Sequence, residues 1–258
     1  MSSYTVSAVD RALTLLEVLA ERPHVGVTEL AERTGNTKSL VFRLLYTLER
    51  RGYVRKDPAT RTYSLGHRPL SLADRARAHS RLIAAARPYL DELAAATDES
   101  VLLTVREGTW GVTVAVRRSP QPLRLHAAIG LRRPLHAGGA PKVLLAFAPE
   151  EIQRSVLAGD LRRFTRHTIT DPARLAERLA EIRRCPVVES QGELDEAACS
   201  VAAPVRDHGG EVVAALSVAG PASRLTEPVR KVYRFKVADA AERLSRDLGC
   251  LAQDKRAG

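Results

Sequence analysis

Three short amphipathic helical patterns open the chain, and this feature constrains its fold more than any other. Between Ser7 and Glu21 apolar residues recur at spacings of three and four, which predicts a helix with one buried face. The predicted face consists of Val9, Ala12, Leu13, Leu16, Leu19 and Ala20. Thr28 is expected to cap a second helix that ends at Gly35, and Asn36 or Thr37 is expected to cap a third. Two short helices joined at a glycine turn are typical of a helix-turn-helix motif.

The third helix has an unusual outer face. Its buried stripe is predicted to contain Val41, Leu44, Leu45 and Leu48. The opposite face carries Lys38, Ser39, Phe42, Arg43 and Tyr46. Since a basic helix face can enter a DNA major groove, we expect Arg43 to read a base edge, with phosphate contacts beside it. The predicted phosphate contacts on this helix are Thr37, Lys38 and Ser39.

A predicted hairpin follows the third helix. Two β-favouring runs, Tyr53–Lys56 and Arg61–Leu65, flank the turn sequence Asp57–Thr60. Together with the helices, this hairpin makes a winged helix-turn-helix, and its cations are expected to lie against phosphates or in a minor groove. These cations are Arg55, Lys56 and Arg61. The alternative, a small helical domain whose charges are merely solvated, leaves the exposed rings of Phe42 and Tyr46 unexplained.

Composition limits the class of protein. The chain has 258 residues and a formal charge of +10, which fits one or two folded units and an anionic partner. Its longest uncharged, mostly apolar run, Val212–Ser223, is shorter than the roughly 18 residues of a membrane span. No signal-peptide pattern opens the chain, so a cytoplasmic protein is expected. The three cysteines are spaced for packing rather than for disulfides or metal binding, and no cofactor is predicted.

The rest of the chain alternates strand and helix patterns and is predicted to be α+β. Two antiparallel hairpins are expected, Val101–Arg106 with Val112–Arg117 and Ser200–Arg206 with Val212–Val218. A further strand is predicted over Leu123–Ile129. The predicted helices are Ala140–Phe147, Pro149–Ala158, Pro172–Arg184 after the cap Asp171, and Glu227–Leu248 after the cap Thr226.

Residues 69–86 are predicted to form a connecting helix. Pro88 suits the first turn of a new helix, so the second domain is expected to begin at residue 87. The predicted boundaries are 1–68 for the winged domain, 69–86 for the connecting helix, 87–250 for the second domain and 251–258 for a tail. Since no Gly/Ser linker separates the domains, we expect the coupling between them to be mechanical.

No catalytic motif is visible. The chain has no HExxH, GxSxG or Walker sequence, and no GxGxxG at a strand-to-helix junction, so an enzyme is not expected. A zinc site formed by His126, His136 and Cys199 would need residues far apart in the chain to converge.

The segment Pro134–Ala140 has two interpretations. Its small residues and the start of a helix could seat a ligand carboxylate near His136. Alternatively, its two glycines only form a turn, and His136 is a packing residue. Arg132 and Arg133 just before it either strengthen acid binding or lie at the surface.

Taken in order, several short strings of this sequence resemble the IclR family of transcriptional regulators. The amino-terminal strings are Ser7–Leu13, Leu30–Gly35, Lys38–Ser39, Arg43–Leu45 and Gly52–Tyr53. Those of the second segment are Gly130, Pro134–Ala137, Lys142, Leu144–Ala146, Thr168–Thr170, Glu193, Ala202–Val205, Ala215–Val218 and Gly220–Pro221. Each string is weak alone, but together they cover roughly residues 7–249 in the family's order.

The resemblance implies a winged helix-turn-helix, a connecting helix and a carboxy-terminal effector-binding domain with a GAF-like or profilin-like fold. It also implies a homodimer or dimer of dimers that binds a palindromic operator in double-stranded DNA and responds to a small organic metabolite, often an acid. By resemblance, the effector pocket is expected to contain Leu125, Gly139, Ala140, Ser190, Ala198, Ser200, Ser217 and Ala219. Ser200 and Ser217 can donate hydrogen bonds, whereas the alanines and Leu125 leave an apolar space.

Several positions depart from the family pattern. Asn36 and Thr37 stand where a Leu-Pro pair is usual, and Leu40 replaces a common threonine. The differing positions in the second domain are Pro141, Ala197 and Ala219. The changes before and in the third helix leave the operator sequence open. Those in the second domain leave open a constitutive DNA-binding regulator whose second domain serves only oligomerisation. An enzyme with a fused DNA-binding domain is a further alternative, against which the missing catalytic motifs argue.

Overall fold

The computed structural model describes residues 4–250, which separate into two compact units, one up to Ser80 and one from Arg81. The elements of the first unit are α1 (Ser7–Glu21), α2 (Val27–Thr34), α3 (Lys38–Arg50), β1 (Val54–Lys56), β2 (Tyr63–Leu65) and α4 (Arg68–Ala78). The two strands pair antiparallel, with Val54 opposite Leu65 and Lys56 opposite Tyr63. The predicted winged helix-turn-helix is therefore confirmed.

The turn between α2 and α3 follows the sequence signals closely. Gly35 ends α2 in the left-handed conformation, with φ at 64°. The Thr37 hydroxyl then accepts a hydrogen bond from the Leu40 amide at 3.3 Å and caps α3, as predicted. The predicted cap at Thr28 is wrong, because α2 begins at Val27 and Thr28 lies inside its first turn.

The buried face of α1 differs from the predicted one. Leu15 and Leu19 are buried, whereas Val9 and Leu13 are 56% and 54% exposed. The reason is that the core of this unit, which also holds Leu30, Val41 and Leu45, meets only the carboxy-terminal half of α1. Periodicity identified the helix but not how much of it is covered.

The second unit is built on a six-stranded sheet in which every pairing is antiparallel and the strand order is β5-β4-β3-β8-β7-β6. Its strands are β3 (Ser100–Glu107), β4 (Trp110–Arg117), β5 (Arg132–Pro134), β6 (Val188–Gln191), β7 (Ala198–Arg206) and β8 (Val212–Pro221). Its helices are α5 (Arg81–Thr97), α6 (Gly139–Ala146), α7 (Glu150–Ala158), α8 (Pro172–Arg184) and α9 (Glu227–Asp247). The α+β fold class is confirmed.

Helices cover both faces of this sheet. Residues of α5 and α9 form one apolar cluster with alternate strand residues such as Leu216 and Val218 of β8. On the opposite face, residues of α6 and α8 form a second cluster that includes Ala202 and Ala215. Because successive side chains of a strand point to opposite faces, one strand contributes to both layers.

Two local predictions for this unit are wrong. Pro88 does not begin a helix but lies inside α5. Proline removes one backbone hydrogen bond, yet the burial of Tyr89, Leu90 and Leu93 directly after it favours a continuous helix. The segment Leu123–Ile129 is not a strand, because the edge of β4 is paired instead with β5.

Only one of the two helix caps predicted for the second unit is formed. Asp171 caps α8 by accepting from the Arg174 amide at 2.8 Å, whereas Thr226 makes no side-chain cap bond to α9. The domain limits at residues 68 and 86 stay predictions, but the single connecting helix predicted over 69–86 is wrong, because α4 ends at Ala78 and α5 begins at Arg81. The tail 251–258 lies outside the described residues. Among residues 4–250, no helix is long and apolar enough to cross a membrane.

Candidate functional site

The outer face of α3 is exposed over its whole predicted extent. Val41 and Leu45 are fully buried, while the rings of Phe42 and Tyr46 on the other side are 51% and 54% exposed. The other predicted residues, Thr37, Lys38, Ser39 and Arg43, are also exposed. The helix therefore presents two aromatic rings together with two cations to solvent.

The cations of the predicted outer face of α3 and of the wing are free of intramolecular ion pairs in the described part of the chain. None of the five comes within 4.0 Å of a carboxylate oxygen in the described part of the chain. These five are Lys38, Arg43, Arg55, Lys56 and Arg61. By contrast, Arg33 on α2 donates to Glu29 at 2.9 Å. Uncompensated cations on one face give the positive potential that attracts an anionic partner.

A shallow recess of about 350 Å³ joins α3 to the wing. Phe42 of α3 lines it together with Lys56, Arg61 and Tyr63 of the hairpin. Lys56 lies over the Tyr63 ring, with its Nζ 5.8 Å from the ring centroid. The helix and the wing thus form one continuous surface, although their residues are separated in the sequence.

Asp57 shapes the turn of the wing. Its Oδ1 accepts hydrogen bonds from the amides of Ala59 at 2.8 Å and Thr60 at 3.3 Å. These two backbone bonds hold the pKa of the Asp57 carboxyl below its ordinary value. Beyond the turn, Arg61 has a φ of 56°, a left-handed conformation that points to a constrained hairpin tip.

A cavity of about 200 Å³ lies in the second unit, between the sheet and the start of α6. All eight residues predicted for an effector pocket line it: Leu125, Gly139, Ala140, Ser190, Ala198, Ser200, Ser217 and Ala219. Strand alternation explains the convergence, because Ser200 lies opposite Ser190 on β6 and opposite Ala219 on β8. Strand residues from Ser190 to Ala219 are thereby brought onto one face of the sheet, and Leu125 joins them from outside it.

Sequence reasoning missed several lining residues. Leu102 and Thr104 of β3 and Thr113 of β4 face the same cavity, together with Arg133 and Glu193. The period of two along each strand could have identified the threonines, once the sheet face was known. No local signal marks Arg133, which the sequence left between acid binding and a surface role.

The backbone at the start of α6 is closely packed under this cavity. Gly138 has a φ of 94°, which favours glycine. A Cβ on Gly139 would approach the Ser200 Oγ to 2.9 Å, closer than real Cβ atoms come. Both glycines are therefore required for the helix to begin this near the sheet.

A buried ion pair supports that loop. The Lys142 ammonium donates to the Glu193 carboxylate, and the two side chains are only 2% and 8% exposed. Glu193 also accepts from the Gly138 amide at 3.2 Å and from the Ser190 hydroxyl at 2.9 Å. Burial lowers the pKa of Lys142, and the carboxylate opposes that shift. Glu193 thus connects the α6 loop with β6 at the cavity wall.

His136 is buried and stacks on Phe164, and it also lines a second cleft of this unit. It is 2% exposed and does not line the 200 Å³ cavity. Its Nε2 lies 3.0 Å from the Arg162 carbonyl oxygen, which can only accept, so this nitrogen carries the proton. Within residues 4–250, no group of three or more histidines, cysteines or carboxylates could hold a metal ion.

Two family models match the two units. The model of the IclR helix-turn-helix domain matches residues 8–58, and that of the bacterial transcriptional regulator IclR C-terminal region matches residues 75–246. KipR of Bacillus subtilis, an HTH-type transcriptional regulator, is 32% identical over 242 residues, or 93% of this chain and 96% of KipR. KdgR of Escherichia coli K12, also an HTH-type transcriptional regulator, is 32% identical and covers 95% of this chain and 94% of its own length.

Solved structures agree with these matches. An IclR transcriptional regulator from Alicyclobacillus acidocaldarius has a TM-score of 0.86 at 28% identity and covers 95% of this chain and 100% of its own. An IclR homologue from Microbacterium hydrocarbonoxydans, solved in complex with 4-hydroxybenzoate, has a TM-score of 0.82 at 26% identity and covers 93% and 98%. With a helix-turn-helix unit, a sheet unit that encloses a cavity, and both family models matched in order, the chain belongs to the IclR family of bacterial transcriptional regulators.

Proposed function

We propose that this chain binds a palindromic operator in double-stranded DNA and that a small organic acid modulates its affinity for that operator. The observation that carries the proposal is the outer face of α3 and the wing, where five cations have no carboxylate partner within the described residues. Cations left unpaired within the protein are available to phosphates, whose contacts supply much of the affinity of DNA-binding proteins. The protein acts in the cytoplasm, where its DNA target lies.

The residues of this surface divide into two roles. Arg43, in the middle of the exposed face, reads a base edge, because its fork matches the acceptors of guanine. Phe42 and Tyr46 on the same face pack against sugars or a thymine methyl group. The phosphate contacts come from Thr37, Lys38, Ser39, Arg55, Lys56 and Arg61.

The cavity in the second unit limits the class of ligand. Its volume of about 200 Å³ is below the ~300 to 1,000 Å³ typical of sites for drug-sized molecules, so the ligand is small. The hydroxyls of Ser200 and Ser217 and the guanidinium of Arg133 suit a polar or anionic end, whereas the Ser190 hydroxyl already donates to Glu193. Leucine and alanine side chains around them suit an apolar body. The homologue solved with 4-hydroxybenzoate supports a small acid of this kind.

A homodimer or a dimer of dimers fits a palindromic operator, since each half-site then meets one α3. In support, α4 buries none of its residues in the single chain, and Leu70 and Leu72 are 64% and 47% exposed. The ligand then shifts the population of dimers that can bind DNA, and no catalysis is required.

Fluorescence anisotropy of the purified full chain tests this proposal. Labelled DNA from upstream of its own gene and of the adjacent divergent gene is titrated at fixed salt, with random DNA of equal length as control. A panel of small organic acids that includes 4-hydroxybenzoate is then added. We expect preferential binding to one of the upstream sequences and a change in its affinity with one acid.

The other outcomes separate the alternatives. Preferential binding that no compound alters favours a constitutive regulator whose second unit serves only oligomerisation. Equal binding to random DNA contradicts the assignment of α3 as a recognition helix. Turnover of a panel compound would indicate an enzyme with a fused DNA-binding domain.

A further inference from the structure

A second cleft opens in the unit that begins at Arg81. It has a volume of about 530 Å³, larger than the 200 Å³ cavity lined by Ser190, Ser200 and Ser217, which we call the serine-lined cavity. The residues that matter for its chemistry are Trp110 at the start of β4, Arg132 and Arg133 on β5, His136 in the loop after β5, and Arg162 and Phe164 after α7. We propose that this cleft binds a small oxyanion with two or more negative charges, as a ligand distinct from the one in the serine-lined cavity.

Unpaired positive charge is the first reason. The guanidiniums of Arg132, Arg133 and Arg162 make no ion pair or hydrogen bond within residues 4–250. Arg133 is half-buried, whereas Arg132 and Arg162 are exposed. Elsewhere in the same unit most half-buried arginines are bonded to carboxylates, as in the pairs of Arg224 with Glu99 and of Arg117 with Asp91, so the unpaired Arg133 is unusual. One carboxylate, Asp160, lines the cleft, and it makes no ion pair. Arg133 also lines the serine-lined cavity, and Arg132 and Arg162, which do not, still outnumber the single carboxylate of the cleft.

The guanidiniums are also oriented. Arg132 lies over the Trp110 ring, 5.5 Å from its centroid, and Arg162 lies over the Phe164 ring at 5.2 Å. A guanidinium that stacks through its flat face keeps the N–H groups of its edge available to an oxyanion. These two exposed guanidiniums are therefore each restrained by an aromatic ring.

Buried contacts hold the Arg162 side of the cleft in place. The ring of His136 stacks on Phe164 with 6.0 Å between centroids, and its Nε2 donates to the Arg162 carbonyl oxygen. Because His136 is 2% exposed, this contact ties the backbone of Arg162 to the loop between β5 and α6. An ordered backbone lowers the entropy cost of placing the guanidinium.

The ligand class follows from the donors. Arginine forks bind carboxylates and phosphates through paired N–H···O bonds, and the forks of Arg132 and Arg162, with Arg133 beside them, favour a polyanion over a monocarboxylate. Both phosphates and polycarboxylates present such oxygens. Inorganic pyrophosphate and citrate are therefore the two probes, with acetate as a monovalent control.

The chain contains a built-in reporter of this cleft. Trp110 is its one tryptophan, lines this cleft and is 42% exposed, so tryptophan emission reports on a ligand bound here. The full chain is titrated with each probe at constant ionic strength. We expect a saturable change in emission with pyrophosphate, citrate or both, and none with acetate. A response to only one polyanion assigns the cleft to phosphates or to polycarboxylates.

Two variants test the arginines. Arg162→Ala leaves the Arg132–Trp110 pair intact, so its emission can be compared directly, and we expect the dissociation constant to rise about tenfold or more. The charge-matched control is Arg184→Ala, an exposed arginine of α8 with no acid partner in the described chain, and it should change the constant less than about twofold. Calorimetric titration of Arg132→Ala, which does not depend on the tryptophan signal, should show the same weakening as Arg162→Ala.

The proposal is overturned if the wild-type emission shows no saturation, if acetate acts like the polyanions, or if Arg184→Ala weakens binding as much as Arg162→Ala. Melting curves of each variant exclude unfolding as the cause. The measurement involves neither DNA nor the ligand of the serine-lined cavity, so its failure leaves the proposed regulatory function untouched.

Discussion

The two units use charged side chains in opposite ways. On α3 and the wing, cations point to solvent without carboxylate partners in the described chain. In the second unit, Arg224 forms a bidentate ion pair with Glu99, with its Nε 2.6 Å from Oε1 and its Nη2 2.8 Å from Oε2. The Glu99 side chain is only 3% exposed. Arg230 of α9 likewise donates to Glu189 of β6 at 2.8 Å. Charged side chains on the outer face of α3 and the wing are therefore available to a partner, whereas most of those in the second unit stabilise the fold.

The largest expected effect concerns the buried pair in the second unit. Glu193→Ala leaves the Lys142 ammonium buried without its carboxylate, and we expect the free energy of unfolding to fall by about 3 to 5 kcal/mol. Urea denaturation of the full chain measures this loss. Glu177→Ala, which removes an exposed carboxylate of α8 without an ion pair, is the control and should change little. A Glu193→Ala variant as stable as this control would contradict a stabilising role of the Lys142–Glu193 pair.

The next effect concerns an exposed cation of the first unit. Arg43→Ala should weaken operator binding by about 1 to 3 kcal/mol and relax base preference at one position, since a base contact is lost. Its stability should stay within about 0.5 kcal/mol of the wild type, because the side chain is exposed and unpaired. Lys38→Ala is the matched comparison and should weaken specific and random DNA evenly. Identical losses for both variants on every sequence would contradict the division of roles.

Salt dependence gives a smaller and more general effect. Operator affinity should fall steeply with salt, and Lys56→Ala should reduce the slope of log K against log salt by about 0.9, the contribution of one phosphate contact. Anisotropy titrations at several salt concentrations measure both slopes. The exposed, unpaired arginine Arg184 on α8 serves as control, because its removal should leave the slope unchanged. A flat wild-type response would argue against phosphate contacts altogether.

The smallest effect is a pH response of the wing. Because the pKa of Asp57 is lowered in the folded state, its contribution is complete above the unfolded pKa and is lost as the pH falls through the folded pKa. The protection of the Ala59 and Thr60 amides, measured against the intrinsic exchange rate at each pH, should therefore fall under acidic conditions. Asp57→Asn keeps a side-chain acceptor without the titration, so its wing should lose this pH dependence, whereas Asp57→Ala should loosen the turn at every pH.

Local sequence signals predicted the elements that local contacts determine. Helical periodicity located α1 and α3, and the signals at Gly35 and Thr37 fixed the turn between α2 and α3. β-favouring runs around a turn located the wing and the hairpins of the large sheet. The eight pocket residues came from the family resemblance, and the structure brings all of them around one cavity.

The wrong predictions concern features that are determined by contacts between residues far apart in the sequence. Val9 matches the periodicity of α1 yet is exposed, because the core covers only part of that helix. Pro88 signals a helix start, but burial of the residues after it keeps α5 continuous. The Lys142–Glu193 pair joins residues 51 apart in the chain, and no local pattern announces such a contact. A second cleft lined by Arg132 and Arg162 likewise exists only once β4, β5 and α7 have met.

The alternation of faces along β8 also has an evolutionary consequence. Ser217 and Ala219 line the serine-lined cavity, whereas Leu216 and Val218 belong to the apolar cluster with α5 and α9. Substitutions at the first pair alter what the cavity accepts without touching the residues that hold the sheet to its helices. Descendants of this chain can therefore diverge in the signal they recognise while inheriting the same scaffold.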